Sequence, residues 1–307
     1  MSHQTNGPRE EEPGLVERFR RSRTARTGRR IFADNRLAQI GLLITLAVIL
    51  SATLAPLIAP YEPTEQNIVD AQLESPSVAH PMGTDQFGRD IFSRVVYGAR
   101  ISLEVGLIAV SFAILLGVPL GLVSGYYKGY VDETIMRTMD VLFAFPAILL
   151  AIAVMAVLGQ SLVNVMIAIG VVYTPIFARV TRSGVLSVRE EEYVTAAKAV
   201  GDTDGNIIRK DVLPNVIAPI IVQATISLAF AILAESALSF LGLGTPPPTP
   251  SWGRMLSESR NFMQSAPWTV LFPGLAIMVT ILGFNFLGDA LRDTLDPKHD
   301  TESGGGL

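Results

Sequence analysis

Cysteine is absent from the 307 residues, which excludes disulfides and thiol chemistry. Histidine is scarce. His3, His80 and His299 are far apart in the chain and two of them lie in the tails, which argues against a metal centre or a proton relay built on them. No G-x-x-x-x-G-K-[ST] occurs, so the chain has no phosphate-cradling loop of its own. No nucleophile, base and acid stand in a recognisable set, and no metal-ligand spacing is present, so a membrane enzyme is poorly supported. Charged residues make up only 17%, and the net charge of −4 says little about partners. What the chain has in quantity is apolar residues. They make up 49% of it, with a mean hydropathy of +0.40. Both values are high for a soluble protein and typical of a chain that crosses a membrane several times.

Crossing a bilayer takes about 20 apolar residues in a helix. Six runs approach or exceed that length, at 38–59, 101–124, 138–158, 162–180, 216–241 and 269–289. The fold class is therefore all-α, a polytopic bundle of six transmembrane helices. The fourth run is the shortest, and Pro175 is expected to interrupt it. Charge sets the orientation. Nine arginines precede the first run: Arg9, Arg18, Arg20, Arg21, Arg23, Arg26, Arg29, Arg30 and Arg36. Placing them in the cytoplasm leaves only Arg89, Arg94, Arg100, Arg254 and Arg260 outside, so 19 of the 24 basic residues lie inside, as the positive-inside rule expects. Both termini then fall in the cytoplasm. The arginine cluster reads as a topology signal ahead of a dedicated lipid site. The polar tail is too long for the n-region of a signal peptide, and the first run is longer than a usual h-region, so that run is expected to stay as an anchor. The tail is expected to be disordered to about Gly14 and helical nearer the membrane, and the residues after Lys298 to be disordered.

The polar stretch from Arg182 to Asn215 stands out between two apolar runs. Ser187 and Glu190 have the spacing of a capping box. Tyr193, Ala196, Ala197 and Val200 follow at helical i, i+3, i+4, i+7 spacing, with Val194 beside them. Gly201 is placed to end that helix in the left-handed conformation. Asp204 is placed to cap a second short helix carrying Ile207, Ile208 and Val212. Pro214 marks the start of the next run. This predicts a helix-turn-helix whose apolar face must bury against something, with small Ala196 and Ala197 permitting close approach.

That segment resembles the "EAA" loop of ABC importer permeases. Thr195-Ala196-Ala197, Gly201, Asp211 and Leu213-Pro214 occupy the pattern's positions. Thr195 stands where the pattern has Glu, and Asp211 where it has Ile. Glu192, three residues before Thr195, is a candidate for the acidic role. The block from His80, HPMGTDQFGRDIFSRVVYGARISL, resembles the outer loop of the "C" type subunits of the dipeptide, oligopeptide and nickel importer family. Those subunits carry one extra N-terminal span ahead of a type I permease core. Within this loop Gly83 and Gly88 suit tight turns. Asp85, Arg89 and Asp90 read as an ion-paired fold rather than a cation site. Ile91, Phe92, Val95 and Val96 predict a short amphipathic helix on the outer surface.

The remaining features are local. Gly117, Gly121 and Gly125 form a GxxxG ladder, which lets helices approach closely. In MRTMDVLFAFPAILL, also family-like, Asp140 lies near the cytoplasmic end of a run and Pro146 is expected to kink it. Pathway lining and simple bending explain Pro146 equally well. Glu235 is the one acid placed well inside an apolar run, where a carboxylate costs about 2.5–3.5 kcal/mol at mid-membrane and less near an edge. It is a candidate for a pathway or subunit-interface residue, although fixing a turn is the better-favoured reading. Trp252 follows a proline-rich outer loop and is a candidate interfacial anchor.

By this resemblance residues 1–37 are a cytoplasmic tail, 38–100 the extra span and outer loop, 101–290 the permease domain with its coupling loop at 182–215, and 291–307 a cytoplasmic tail. The resemblance implies a cell-membrane permease, not an enzyme, within a binding-protein-dependent importer whose cargo is a dipeptide or oligopeptide. It also implies a homologous "B" type permease, two cytoplasmic ABC ATPases and an extracytoplasmic substrate-binding protein as partners, with ATP and Mg on the ATPases, no cofactor on this chain and no nucleic acid. Glu192, Thr195, Ala196, Ala197, Gly201, Leu213 and Pro214 would couple to the ATPase. Nickel, oligosaccharide or opine cargo on the same machinery is the alternative. An ion-driven secondary transporter is a further one, and it would call for intramembrane charge relays and internal repeats that the chain does not display.

Overall fold

The computed structural model describes residues 35–69 and 71–295, so the expectations for the two polar tails lie outside the described residues. Regular structure among the described residues is helical, apart from one isolated bridge between Thr84 and Asp90. In chain order the helices are α1 (Arg36–Thr53), α2 (Ala55–Ile58), α3 (Ile91–Tyr127), α4 (Gly129–Ala144), α5 (Ala147–Leu158), α6 (Leu162–Val188), α7 (Glu192–Ala199), α8 (Asp204–Ile207), α9 (Leu213–Phe240), α10 (Trp252–Ser259) and α11 (Trp268–Leu295). A wide π turn, Ile208–Val212, joins α8 to α9.

The centre of the bundle is the pair α3 and α6, and the glycine ladder explains it. A Cβ on Gly117 would sit 2.6 Å from the Thr174 carbonyl oxygen, one on Gly121 2.4 Å from that of Ala178, and one on Gly125 2.8 Å from the Val185 Cβ. Only hydrogen leaves room for backbones this close, which is how small residues drive helix contact where lipid removes the hydrophobic incentive. Helix α9 packs on both members of the pair, α11 on α9, and α1 on α11 and α3.

The same ladder fixes the number of crossings. Ascending residues on α3 meet ascending residues on α6, so the two helices run parallel. The chain between them must therefore travel from one end of the bundle to the other. That connection is α4 plus α5, bent by 96° at Phe145 and Pro146. At 1.5 Å per residue, α5 alone is about 18 Å long and cannot span a hydrocarbon core of about 30 Å. The bent pair is one broken crossing, and the count among the described residues is six.

Three expectations about these elements are corrected. The surface helix predicted at Ile91 is the first turns of α3 itself, because Asp90 caps it and buried ion pairs neutralise Arg94 within it. Pro175 lies inside α6, which runs unbroken through it over its 27 residues. It removes one backbone hydrogen bond, and packing against α3 retains the helix. Pro146 breaks its helix outright rather than kinking it.

Candidate functional site

The helix-turn-helix between α6 and α9 is present, with different capping from that expected. Ser187 belongs to the last turn of α6, and Glu191 occupies the N-cap position of α7 without a side-chain cap bond, so no capping box forms. Gly201 does end α7, at φ +86°, with Gly201 N–H donating to the Lys198 carbonyl and Asp202 N–H to that of Ala197, the paired bonds of a Schellman turn. Thr203, not Asp204, precedes α8 as its N-cap. Asp202 accepts from the Thr203 amide and the Asn206 side chain, and these two bonds hold its carboxyl below the ordinary value. The Asp204 carboxylate is free for another contact, and it accepts from the Tyr126 hydroxyl at 2.7 Å.

The apolar residues divide into two faces. Val194, Ile207 and Val212 are fully buried in the bundle's own core, and half-buried Ala197, Ile208 and Leu213 pack beside them. Tyr193, Ala196 and Val200 point away. Tyr193 is 44% exposed and Val200 84%. Glu192, Thr195, Gly201 and Pro214 are exposed as well. The single face expected to hold both alanines is thereby corrected. Val194 anchors the helix, so Ala197, three residues on, turns inward and Ala196 outward. What remains outside is a small apolar strip on a short helix firmly seated from below.

Ion pairs at this end of the bundle join α6 to α4, and one reaches the link into the segment. Arg182 forms a two-pronged pair with Asp132 at 2.6 Å for each bond, and Ser124 donates to the same carboxylate. Arg179 pairs with Asp140 at 2.8 Å and lies over the Phe143 ring. Lys128 donates to Glu190 at 2.8 Å, and this bond holds the exposed Glu190 carboxyl below its ordinary value.

At the other end of the bundle, Asp85, Arg89, Arg94 and Glu258 form a buried ionic cluster. Arg89 contacts Asp85 and Glu258 at 2.6 Å each, Arg94 lies 3.6 and 3.5 Å from the same two acids, and Arg254 adds a bond to Glu258 at 2.9 Å. Burial by itself raises the Glu258 carboxyl. The bond from Arg254 and the charges of Arg89 and Arg94 outweigh it, so the net displacement is downward. The ion-paired reading of this loop therefore extends to a helix 169 residues further along the chain. Asp90 stands apart as the α3 cap, accepting from Ser93 and contacting His80 at 3.0 Å. Trp252 is not an interfacial anchor. It is buried, with Nε1 donating to the Val95 carbonyl at 2.9 Å.

Glu235 is fully buried among hydroxyls of its own chain. Ser239 donates to Oε1 at 2.7 Å, Ser236 lies 3.5 Å from Oε2, and Ser102 and Ser251 also face the carboxyl group. The Thr245 amide donates to Ser239, so Glu235 holds the loop that follows α9. It lies on the wall of neither of two apolar hollows, of about 280 and 670 Å³, that share Ile148, Leu233 and Ala237. Pro146 immediately precedes Ala147 and Ile148 on those walls. Sequence reasoning missed Tyr126, Arg182 and Glu258. Each is ordinary in its local context and acquires its role from residues far along the chain.

The profile of the family described as "Binding-protein-dependent transport system inner membrane component" matches residues 117–300, and that described as "N-terminal TM domain of oligopeptide transport permease C" matches residues 24–76. The chain is 56% identical over 264 residues to the dipeptide transport system permease protein DppC of Alkalihalophilus pseudofirmus, covering 86% of each chain. It is 46% identical over 272 residues to the protein of the same description in Haemophilus influenzae, covering 87% of this chain and 92% of that one. It is 45% identical over 269 residues to the glutathione transport system permease protein GsiD of Escherichia coli, covering 88% and 89%. Among solved structures it is similar to a chain of the inward-facing MetNI methionine ABC transporter, with a TM-score of 0.56 at 19% identity, covering 66% of this chain and 97% of that one. That likeness concerns the fold.

Proposed function

The chain belongs to the family of binding-protein-dependent transport system inner membrane components, and from that premise we propose that it imports short peptides as one of two permeases in an ATP-driven complex. Relatives named for dipeptides and for glutathione support short peptides as the cargo class. The partners in this reading are a homologous "B" type permease, two cytoplasmic ATPases that hold ATP and Mg, and an extracytoplasmic binding protein. Both termini lie in the cytoplasm.

The observation that carries the reading is the divided face of the coupling segment. Val194, Ile207 and Val212 fix the segment to the bundle, and Tyr193, Ala196 and Val200 remain uncovered on its outer side. An ATPase groove closing over that strip displaces the whole segment, and α6 and α9 carry the displacement into the bundle from either side. Coupling requires that the contact be stronger in one state of the bundle than in the other. Glu192 and Thr195 sit beside the strip, where a basic groove residue would meet Glu192. The test is uptake of radiolabelled alanyl-alanine into proteoliposomes that hold the four-subunit complex and its binding protein. ATP-dependent accumulation is expected. Accumulation driven by an ion gradient without ATP, or ATP-dependent uptake of nickel in place of the dipeptide, would reject the assignment.

A further inference from the structure

The coupling segment is joined covalently to α6 and α9 alone, yet its tightest polar contact reaches a third helix. Tyr126, at the end of α3, is buried to 4% exposure and is held from three directions. Its hydroxyl donates to Asp204 on α8, 78 residues away, at 2.7 Å. The Lys198 ammonium of α7 lies 4.8 Å from the centre of its ring. Its carbonyl oxygen accepts from Arg189, in the link between α6 and α7, at 2.6 Å. Both short helices and their leading link therefore converge on one residue.

We propose that Tyr126 is a positioning residue for transport, the pin that fastens the coupling segment to α3; this inference rests on the permease reading above. The physical argument concerns rotation. A short helix-turn-helix attached at its two ends can pivot about the line joining them. The seating of Val194, Ile207 and Val212 in the core limits that pivot, and a directional polar attachment off the line, added to it, stiffens the segment against the rotation that remains. Gly125, next to the pin, presses α3 onto α6 at Val185, so α3 and α6 already move together. With Tyr126 in place the segment, α3 and α6 form one rigid body, and displacement of the outer strip is delivered to the bundle's centre without slippage. The ring and the hydroxyl have separable parts. The ring gives the cation contact and the packing, while the hydroxyl alone reaches Asp204.

Tyr126→Phe keeps the ring and deletes that bond. The experiment measures alanyl-alanine uptake per ATP hydrolysed in proteoliposomes of the complete complex. It is paired with distances between spin labels at Gly205→Cys on α8 and Val123→Cys on α3, recorded without nucleotide and with ATP trapped. The chain's lack of cysteine makes those labels unique within it. The expected result for Tyr126→Phe is a fall in uptake per ATP of about five- to tenfold, within the usual range of an allosteric coupling change. The label distance should broaden and change with nucleotide, whereas in the unsubstituted protein it stays narrow in both states. Asp204→Asn combined with Tyr126→Phe should be no worse than the more severe single variant, because both act on one bond. Unchanged uptake per ATP with a narrow distance overturns the proposal. So does a deficit traced wholly to a lower membrane level or to ATPase subunits that no longer co-purify. If the unsubstituted complex takes up no dipeptide, the cargo assignment fails, and the label distances still decide for or against the pin.

Discussion

Among the described residues the polar partners of Glu235 are hydroxyl groups of its own chain, and that decides what its replacement should do. Glu235→Gln preserves the volume and an acceptor for Ser239. Uptake at matched membrane levels should stay near normal across the pH range, and a selective loss for cationic peptides would instead place the carboxylate on the pathway. Glu235→Leu leaves the hydroxyls of Ser239 and Ser236 without their acceptor. It should lower thermal stability by about 1–3 kcal/mol, the cost of orphaned buried polar groups. The ionic cluster around Glu258 follows a different rule. Glu258→Ala strands Arg89 and Arg94, which are 4% and 1% exposed, without one of their two acids. The loss should fall at the lower end of about 3–5 kcal/mol, since 15% of the Glu258 side chain stays open to solvent. Its folded carboxyl is displaced downward. The stabilisation is therefore complete above the ordinary carboxylate range and is lost as pH falls through that range towards the lower folded value. Protease cleavage of the outer loop, followed as the medium is acidified, should rise in that window, and Glu258→Gln should remove much of the dependence.

At the scale of elements, α7 separates two substitutions that its sequence makes look equivalent. Ala196 faces outward and Ala197 packs on Val194's side of the helix. Ala196→Glu should leave the membrane level normal while ending both co-purification of the ATPase and uptake. Ala197→Glu forces a carboxylate against the permease's own core, so its membrane level should fall as well. Equal membrane levels for the two variants would contradict the division into faces. Gly201→Pro should also abolish uptake without preventing insertion. Proline cannot reach φ +86°, and it would remove the amide that closes the turn onto Lys198.

Over the whole molecule, parallel α3 and α6 require the bent α4 and α5 to make a crossing, which brings the number among the described residues to six; an even number of crossings is what the proposed orientation, with both tails in the cytoplasm, requires. A cytoplasm-dependent reporter fused after Leu307 should be active, and one inserted near Thr249 should be active only in its extracytoplasmic form. The reverse result at one site would mean that α4 and α5 return to the side they left. The two polar clusters sit at opposite ends of this bundle. One surrounds Glu258 and fastens the loop before α3, and the other surrounds Tyr126 and fastens the helix-turn-helix between α6 and α9. The apolar length between them is crossed by helices, which satisfy most of their backbone groups internally, as hydrocarbon demands.

The apolar runs, the basic bias, the glycine ladder and the punctuation by Gly201 and Pro214 were legible because each is a local property. Length, charge and backbone conformation belong to a residue and its near neighbours, and the bilayer reads them one segment at a time. The all-helical class, the turn at Gly201 and the place of the helix-turn-helix between α6 and α9 followed from them. Which way a residue faces did not. Ala196 and Ala197 are adjacent in sequence and separate only because Val194 found a core to enter. Pro175 and Pro146 are chemically the same, yet packing against α3 keeps α6 whole while the chain breaks at Pro146. Arg94 counts in the sequence as a charge of the outer segment, and it lies inside α3 because Asp85 and Glu258 reach it there. Partners distant along the chain decide such cases, since the energy of a buried charge or a closed turn depends on what three-dimensional packing sets beside it.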